Sequence, residues 1–195
     1  MKKSLKGTKT ADNLLKAFAG ESQARNRYTM YASVAKKEGY EQISAIFLET
    51  AENERVHAKR FFEFLADDFE GEMRHLEADY PVGLGTTEDN LKYAAEGEHD
   101  EWSDLYPAFA EVAKEEGFTA IAAAFRYISV SEKHHEERYL KLLENVKEYE
   151  VFKKDGEVYW RCRKCGYVYK GKEAPKKCPA CDHPQAYFEL LCDNF

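Results

Sequence analysis

No stretch of the 195-residue chain approaches the roughly 20 apolar residues that a membrane-spanning helix needs. The basic start, Met1 to Gly7, is not followed by the run of about 7–15 apolar residues that marks a secretory leader. The expectation is a cytoplasmic chain with no membrane partner. Positive charge is also in short supply. Lys and Arg number 29 against 36 Asp and Glu, and the net charge of -7 argues against nucleic acid or an anionic surface as partner. Cysteine is sparse and odd in number, five in all, yet four of the five form two C-x-x-C pairs, Cys162/Cys165 and Cys178/Cys181. In a chain without a leader, such pairs read as a metal site before they read as disulfides. Cys192 is left as a bystander.

What the chain does contain is helical periodicity. Leu14, Leu15, Phe18, Tyr28, Tyr31, Val34 and Ala35 follow a helical repeat, predicting a first helix over about 12–38 with Gly39 as its C-cap. A second is predicted over 42–65, a third over 89–116 ending at Gly117, and a fourth over 119–148. Pro107 lies inside the third and should remove one backbone hydrogen bond, so a kink or bulge is expected there. Short connections make helices 1 and 2, and 3 and 4, antiparallel hairpins. The stretch 67–87, with Pro81, Gly83 and Gly85, is long enough to cross the bundle.

The two halves resemble each other. At an offset of 78 residues, Tyr28 meets Tyr106, Ile43 meets Ile121, Phe47 meets Phe125, Glu54 meets Glu132 and His57 meets His135. Gly20-Glu21 meets Gly97-Glu98 one residue out of step, a shift that a helix irregularity near Pro107 would absorb. Glu54/His57 and Glu132/His135 are Glu-x-x-His pairs, whose side chains share one helix face. A single such pair is most often a solvated face. Two at equivalent repeat positions, with matched upstream glutamates Glu21 and Glu98, aim four carboxylates and two imidazoles at one point. Such a cluster is costly in a core unless cations neutralise it. This is the recorded ligand set of ferritin-like di-iron and di-manganese bundles, so the match is to a known template.

Within that set Glu54 and Glu132 are the candidate bridging carboxylates, and Glu21 and Glu98 the terminal ones. Glu101 is one carboxylate more than the template requires, and would let one metal exchange Glu101 for His57 between redox states. Mixed oxygen and imidazole ligation suits iron or manganese, with zinc able to intrude. Tyr28 and Tyr106, core aromatics by pattern, fall about two turns after Glu21 and Glu98 and are candidate hydrogen-bond donors or redox neighbours.

After residue 150 the chain changes character. Val151-Phe152, Val158-Tyr159-Trp160 and Tyr167-Val168-Tyr169 are β-prone pieces separated by turns at Asp155-Gly156 and Gly171. A segment this short needs a staple, which four cysteines supply. C-x2-C, twelve residues, then C-x2-C is a strong tetrathiolate signal for zinc or for one iron, and spacing does not choose between them.

The segments Ala19 to Tyr28, Glu54 to Arg60, Gly97 to Glu101, Glu132 to Glu136, Trp160 to Tyr167 and Cys178 to Cys181 together resemble the rubrerythrin family over the whole chain. The resemblance implies a mainly α chain: a ferritin-like antiparallel four-helix bundle with one long crossover over 1–149, then a small β-rich rubredoxin-like metal domain over 150–195. It implies that Glu21, Glu54, Glu98, Glu101, Glu132 and His135 bind two irons, with His57 replacing Glu101 on reduction. It implies that Cys162, Cys165, Cys178 and Cys181 bind a third, with zinc a substitute, and that Tyr28 and Tyr106 lie near the di-iron site. The implied activity is reduction of hydrogen peroxide to water in oxidative-stress defence. Electrons would come from a donor protein, a rubredoxin or an NAD(P)H-dependent reductase, within a head-to-tail homodimer. The tail departs from ordinary rubredoxin in its short spacer and in having Asp182-His183-Pro184 after Cys181 where glycine is usual. The competing expectations are a ferroxidase or iron-handling protein with a structural zinc-ribbon tail, and a zinc ribbon that docks a protein or nucleic acid.

Overall fold

The computed structural model describes residues 3–193. Four rods build its first part. Helix α1 spans Lys9–Lys37 and α2 spans Glu41–Phe69; the third rod is α3, Thr87–Asp100, a π-helical turn, Glu101–Leu105, and α4, Tyr106–Glu115; α5 spans Thr119–Lys147. Local chemistry sets most of the ends. Thr8 accepts from the Ala11 N–H at the start of α1, and Thr86 and Asp89 form a reciprocal capping box at the start of α3. At Gly39, with φ 86°, the Tyr40 N–H reaches the Ala35 carbonyl (2.8 Å) and the Gly39 N–H the Lys36 carbonyl (3.2 Å). Gly117, with φ 78°, repeats this with Phe118 to Ala113 (2.7 Å) and Gly117 to Lys114 (2.9 Å). Both are Schellman stops, in which a positive φ lets the chain fold back onto its own last carbonyls. They turn each half into an antiparallel hairpin.

The segment between α2 and α3 runs along α1. Arg74 pairs with Asp12 (3.2 Å), the Tyr80 hydroxyl donates to the Lys16 carbonyl (3.0 Å), and the Tyr31 hydroxyl donates to the Gly83 carbonyl (2.9 Å). From Asp12 to Tyr31 a helix rises about 28 Å, so the crossover spans most of the bundle. Among the described residues no helix is long and apolar enough to cross a membrane.

The irregularity expected at Pro107 lies just before it. The Tyr106 N–H bonds to the Glu101 carbonyl, a wide turn that accommodates one additional residue. That residue accounts for the one-position slip between Gly20-Glu21 and Gly97-Glu98 in an otherwise constant offset. The predicted third helix is therefore two α segments joined by a π turn. The first helix begins three residues earlier than expected and the second ends four later.

Two hydrophobic clusters fill the bundle. One contains Leu14, Ala17, Phe61, Leu65, Tyr106, Phe125 and Ile128; the other contains Ala24, Tyr28, Tyr31, Phe47, Ala51, Ala95 and Tyr139. On every rod the chain passes from one cluster to the other through a charged stretch: Glu21, Glu54–His57, Glu98–Glu101 and Glu132–His135. The charged side chains thus form a layer between two apolar ones.

A three-stranded antiparallel sheet follows, β1 (Lys153–Cys162), β2 (Val168–Glu173) and β3 (Phe188–Leu190), in the order β2-β1-β3. The strand β3 was not foreseen. The expected turn at Asp155-Gly156 is instead an irregularity within β1, and Gly171 lies inside β2. A Cβ at Gly171 would meet the Tyr169 ring at 2.6 Å, so the ring lies over a position without a side chain, and the Gly171 carbonyl accepts from the Trp160 indole at 2.9 Å. This small unit abuts the loop end of α1 and α2, where Tyr40 stacks on Phe152 at 6.1 Å between ring centroids.

Candidate metal centres

All six groups of the Glu-x-x-His template converge. The ligand atoms of Glu21, Glu54, His57 and Glu132 lie within 4.8 Å of one another, and so do those of Glu54, Glu98, Glu132 and His135. Glu54 and Glu132 belong to both groups, the position that bridging carboxylates must occupy. Both imidazoles turn Nδ1 inward. His57 Nδ1 stands 3.0 Å from Glu54 and 2.9 Å from Glu132; His135 Nδ1 stands 3.2 Å from Glu54, 3.5 Å from Glu98 and 2.9 Å from Glu132. Glu101 is the exception. It lies outside both groups, beside Gly20, where a Cβ would come 3.8 Å from its Oε1, and it lines a cavity of about 540 Å³ under the crossover. In this structure His57, not Glu101, completes the first group.

The two tyrosines orient the terminal carboxylates crosswise. The Tyr28 hydroxyl on α1 donates to Glu98 Oε1 on α3 (2.6 Å), and the Tyr106 hydroxyl on α4 donates to Glu21 Oε1 on α1 (2.5 Å). This exchange between hairpins follows the pseudo-twofold relation of the repeat. Toward the cluster, Glu98 Oε2 lies 3.5 Å from His135 Nδ1 and Glu21 Oε1 lies 3.9 Å from His57 Nδ1.

The packed carboxylates and imidazoles strongly perturb one another's ionisation. Burial, reinforced by Glu101 and Glu132, raises Glu21 well above the usual carboxylate range, and burial with the Glu54 charge raises Glu98 to about 8. Burial also raises Glu101, with the Glu98 charge second. For the imidazoles burial works in the opposite sense and loses: Glu132 and Glu54 lift His57 to about 10, and Glu132, Glu54 and Glu98 lift His135 to about 12. Burial likewise opposes ionisation of Glu54, but hydrogen bonds from His135 and His57 pull it below its ordinary value. Glu21 Oε2 is buried without a hydrogen-bond donor, while Glu54 Oε1, Glu98 Oε2, both oxygens of Glu132 and the imidazole Nδ1 atoms crowd one another at 2.9–3.5 Å without the alignment that would satisfy each of them. Orphaned acceptors are expensive unless something neutralises them, and two divalent cations fit this donor set.

The four cysteines form the third group. Cys162 and Cys181 sulfurs are 3.8 Å apart, and Cys165 and Cys178 sulfurs 3.7 Å. That is far beyond a disulfide bond. It equals the edge of a tetrahedron with metal–sulfur bonds of about 2.3 Å, which suits zinc and a single iron alike. Each C-x-x-C knuckle closes in the same way: Gly166, φ 79°, donates to the Cys162 carbonyl (2.8 Å), and Asp182, φ 62°, donates to the Cys178 carbonyl (2.9 Å). Asp182 thus holds the left-handed position that the sequence reading associated with glycine, a conformation Asp tolerates. Burial disfavours ionisation of the Cys178 thiol, but N–H donors of Ala180 and Cys181 outweigh it and bring the thiol to about 7.

Several partners were not foreseen from sequence. Glu136, the residue after His135, accepts from the Trp102 indole (2.5 Å) and pairs with His99 Nδ1 (3.0 Å). His99, expected to be merely solvated, is 51% exposed yet paired. Arg27, in the core, donates through Nε to Gln23 (2.6 Å). The only sequence signal for Trp102 was its position after the surplus glutamate.

Comparison with known proteins agrees with this geometry. The family model described as Rubrerythrin matches residues 12–143, and that described as Rubrerythrin, rubredoxin-like domain, matches 160–189. Rubrerythrin-1 of Clostridium acetobutylicum is 63% identical over 99% of this chain and 100% of its own length. A solved structure of nigerythrin in a mixed-valence state is 33% identical and superimposes with a TM-score of 0.64, covering 96% of this chain and 92% of that one. Bacterioferritin of Desulfovibrio desulfuricans, 24% identical, shares the bundle fold with a TM-score of 0.65 over 73% of this chain and 82% of that one. With a carboxylate–imidazole bundle site, a tetrathiolate tail and relatives matched along their full length, the chain belongs to the rubrerythrin family.

Proposed function

We propose that the chain is a non-haem di-iron peroxidase that reduces hydrogen peroxide to water in cytoplasmic defence against oxidative stress, with electrons relayed through a single iron held by the four cysteines. The observation that carries this reading is the pairing of two unlike centres in one chain: a bundle site with a shared pair of carboxylates, and a thiolate cage suited to one-electron exchange. A ferroxidase needs only the first. Glu21, Glu54, Glu132 and His57 or Glu101 would hold one iron; Glu54, Glu98, Glu132 and His135 the other. Two ferrous ions would supply the two electrons that O–O cleavage consumes, together with Lewis acidity toward the peroxide oxygens.

The protein's own part is geometric. Tyr28 and Tyr106 fix the rotamers of Glu98 and Glu21, and the flanking apolar clusters keep bulk water from the ligand layer. The cavity beside Glu101, with Gln23 and Arg27 on its wall, offers a small oxidant a way in. His57 belongs to the first ligand group while Glu101 stands outside it beside Gly20, which supports exchange of one for the other between redox states.

The tail of one subunit meets the end of its own bundle, where Tyr187 interacts with Glu41. Along α2, Glu41 lies about 20 Å from Glu54. That separation supports a head-to-tail homodimer in which each tail serves the partner's bundle, fed by a rubredoxin or an NAD(P)H-dependent reductase.

Cys162→Ser separates the readings. In iron-replete protein, single-turnover oxidation of the pre-reduced bundle site by peroxide should be nearly unchanged, while steady-state turnover with an external reductase collapses. Unchanged steady-state turnover would refute the relay. A colourless tail with zinc at all four sulfurs in native, iron-replete protein would assign the chain to iron handling.

A further inference from the structure

The residue that follows each of three bundle glutamates or histidines joins a single network on the outside of the site. His99 follows Glu98, Trp102 follows Glu101 and Glu136 follows His135. One Glu136 oxygen accepts from the Trp102 indole N–H (2.5 Å) and the other pairs with His99 Nδ1 (3.0 Å), while the His99 and Trp102 rings meet edge to face at 5.3 Å. Lys133, one turn before Glu136 on α5, places its ammonium 5.3 Å from the centre of the Trp102 ring.

The backbone joins the same network. In the wide register of the π turn, the Tyr106 N–H bonds to the Glu101 carbonyl. The next residue in that register would donate to the Trp102 carbonyl, but it is Pro107 and has no N–H. The Ser129 hydroxyl on α5 donates to the Trp102 carbonyl (3.1 Å). Ser129 and Glu136 are seven residues apart on α5 and therefore face the same way. Helix α5 thus grips the π turn twice, once by its backbone and once by its indole.

We propose that Ser129, Glu136, Trp102 and His99 form a clasp through which α5 fixes the π turn that carries Glu101, and thereby sets the balance between Glu101 and His57 at the bundle site. These are positioning residues: none touches the ligand cluster. The clasp acts on the backbone one residue from Glu101 and, through Glu136, on the helix turn bearing His135. Its effect on ligand balance rests on the exchange reading above; its grip on the π turn does not.

The test uses the full-length, iron-loaded protein and two readouts: amide hydrogen exchange across residues 101–106, and the reduction midpoint of the bundle site by spectroscopic titration. Trp102→Phe deletes the N–H and keeps an aromatic ring, though one smaller than the indole. Glu136→Ala deletes the acceptor, and Glu136→Gln restores a neutral one. A lost hydrogen bond to a carboxylate predicts about tenfold faster exchange across the turn in Trp102→Phe and in Glu136→Ala, substantial recovery in Glu136→Gln, and a displaced midpoint in the first two. The double variant should add little to Glu136→Ala, because that change already removes the Trp102–Glu136 bond along with the His99 pairing. Wild-type exchange in both single variants overturns the clasp. Faster exchange with an unmoved midpoint overturns its role in ligand balance. Full additivity of the two variants overturns their common action. The exchange arm requires no peroxide, so failure of the peroxidase reading, seen as absent turnover in the wild type, is separately visible.

Discussion

Removing one hydroxyl from the bundle tests the ligand geometry most directly. Tyr28→Phe keeps a buried ring in a cluster where Tyr28 lies 5.6 Å from Tyr139 and 6.2 Å from Phe47, so packing is preserved and no cavity opens. What disappears is the 2.6 Å donor to Glu98 Oε1. A hydrogen bond to a buried charged group contributes about 1.5–3 kcal/mol, and each 1.4 kcal/mol is about tenfold in an equilibrium constant. The expected loss is therefore about 10–100-fold in iron affinity, the range that partners of metal ligands typically contribute. Tyr106→Phe should cost a similar amount through Glu21. The assay is competition with a graded series of chelators, scored separately for bundle and cysteine iron, with thermal unfolding as a control for the fold. Iron affinity within about twofold of wild type in both variants, in a folded protein, would mean that these phenols do not orient ligands, and the reasoning from burial and distance would fail.

Glu101→Ala should still bind two irons, because His57 already completes the first group, but it should cycle poorly between redox states; wild-type cycling would rule out the exchange. Iron uptake should release protons and strengthen as pH rises. In the metal-free protein His57, His135 and Glu98 hold protons at neutral pH, with values near 10, 12 and 8, and ligation requires their loss. Recording acid release in a weakly buffered titration checks this, and uptake that weakens between pH 6 and 8 would contradict the assigned ionisation states.

Much of this protein is written locally in its chain. Helical periodicity and the glycines at 39 and 117 gave the rods and their reversals, because a Schellman stop depends only on residues a few positions apart. Glu-x-x-His and C-x-x-C declare their chemistry for the same reason: the backbone fixes the distance between their side chains. Even a helix irregularity near Pro107 was legible as a slip between two copies of a repeat, although its form as a π turn before the proline was not. Tertiary structure decided what depends on how separate rods align. The crosswise bonds of Tyr28 with Glu98 and of Tyr106 with Glu21 join residues far apart in sequence, as does the grip of Glu136 on Trp102. The short strand β3 became recognisable only when paired with β1. Which of Glu101 and His57 stands at the site also emerged only in three dimensions. Periodicity specifies the face a side chain occupies; its partner is selected by axial and rotational packing between helices, and no short stretch of sequence contains that information.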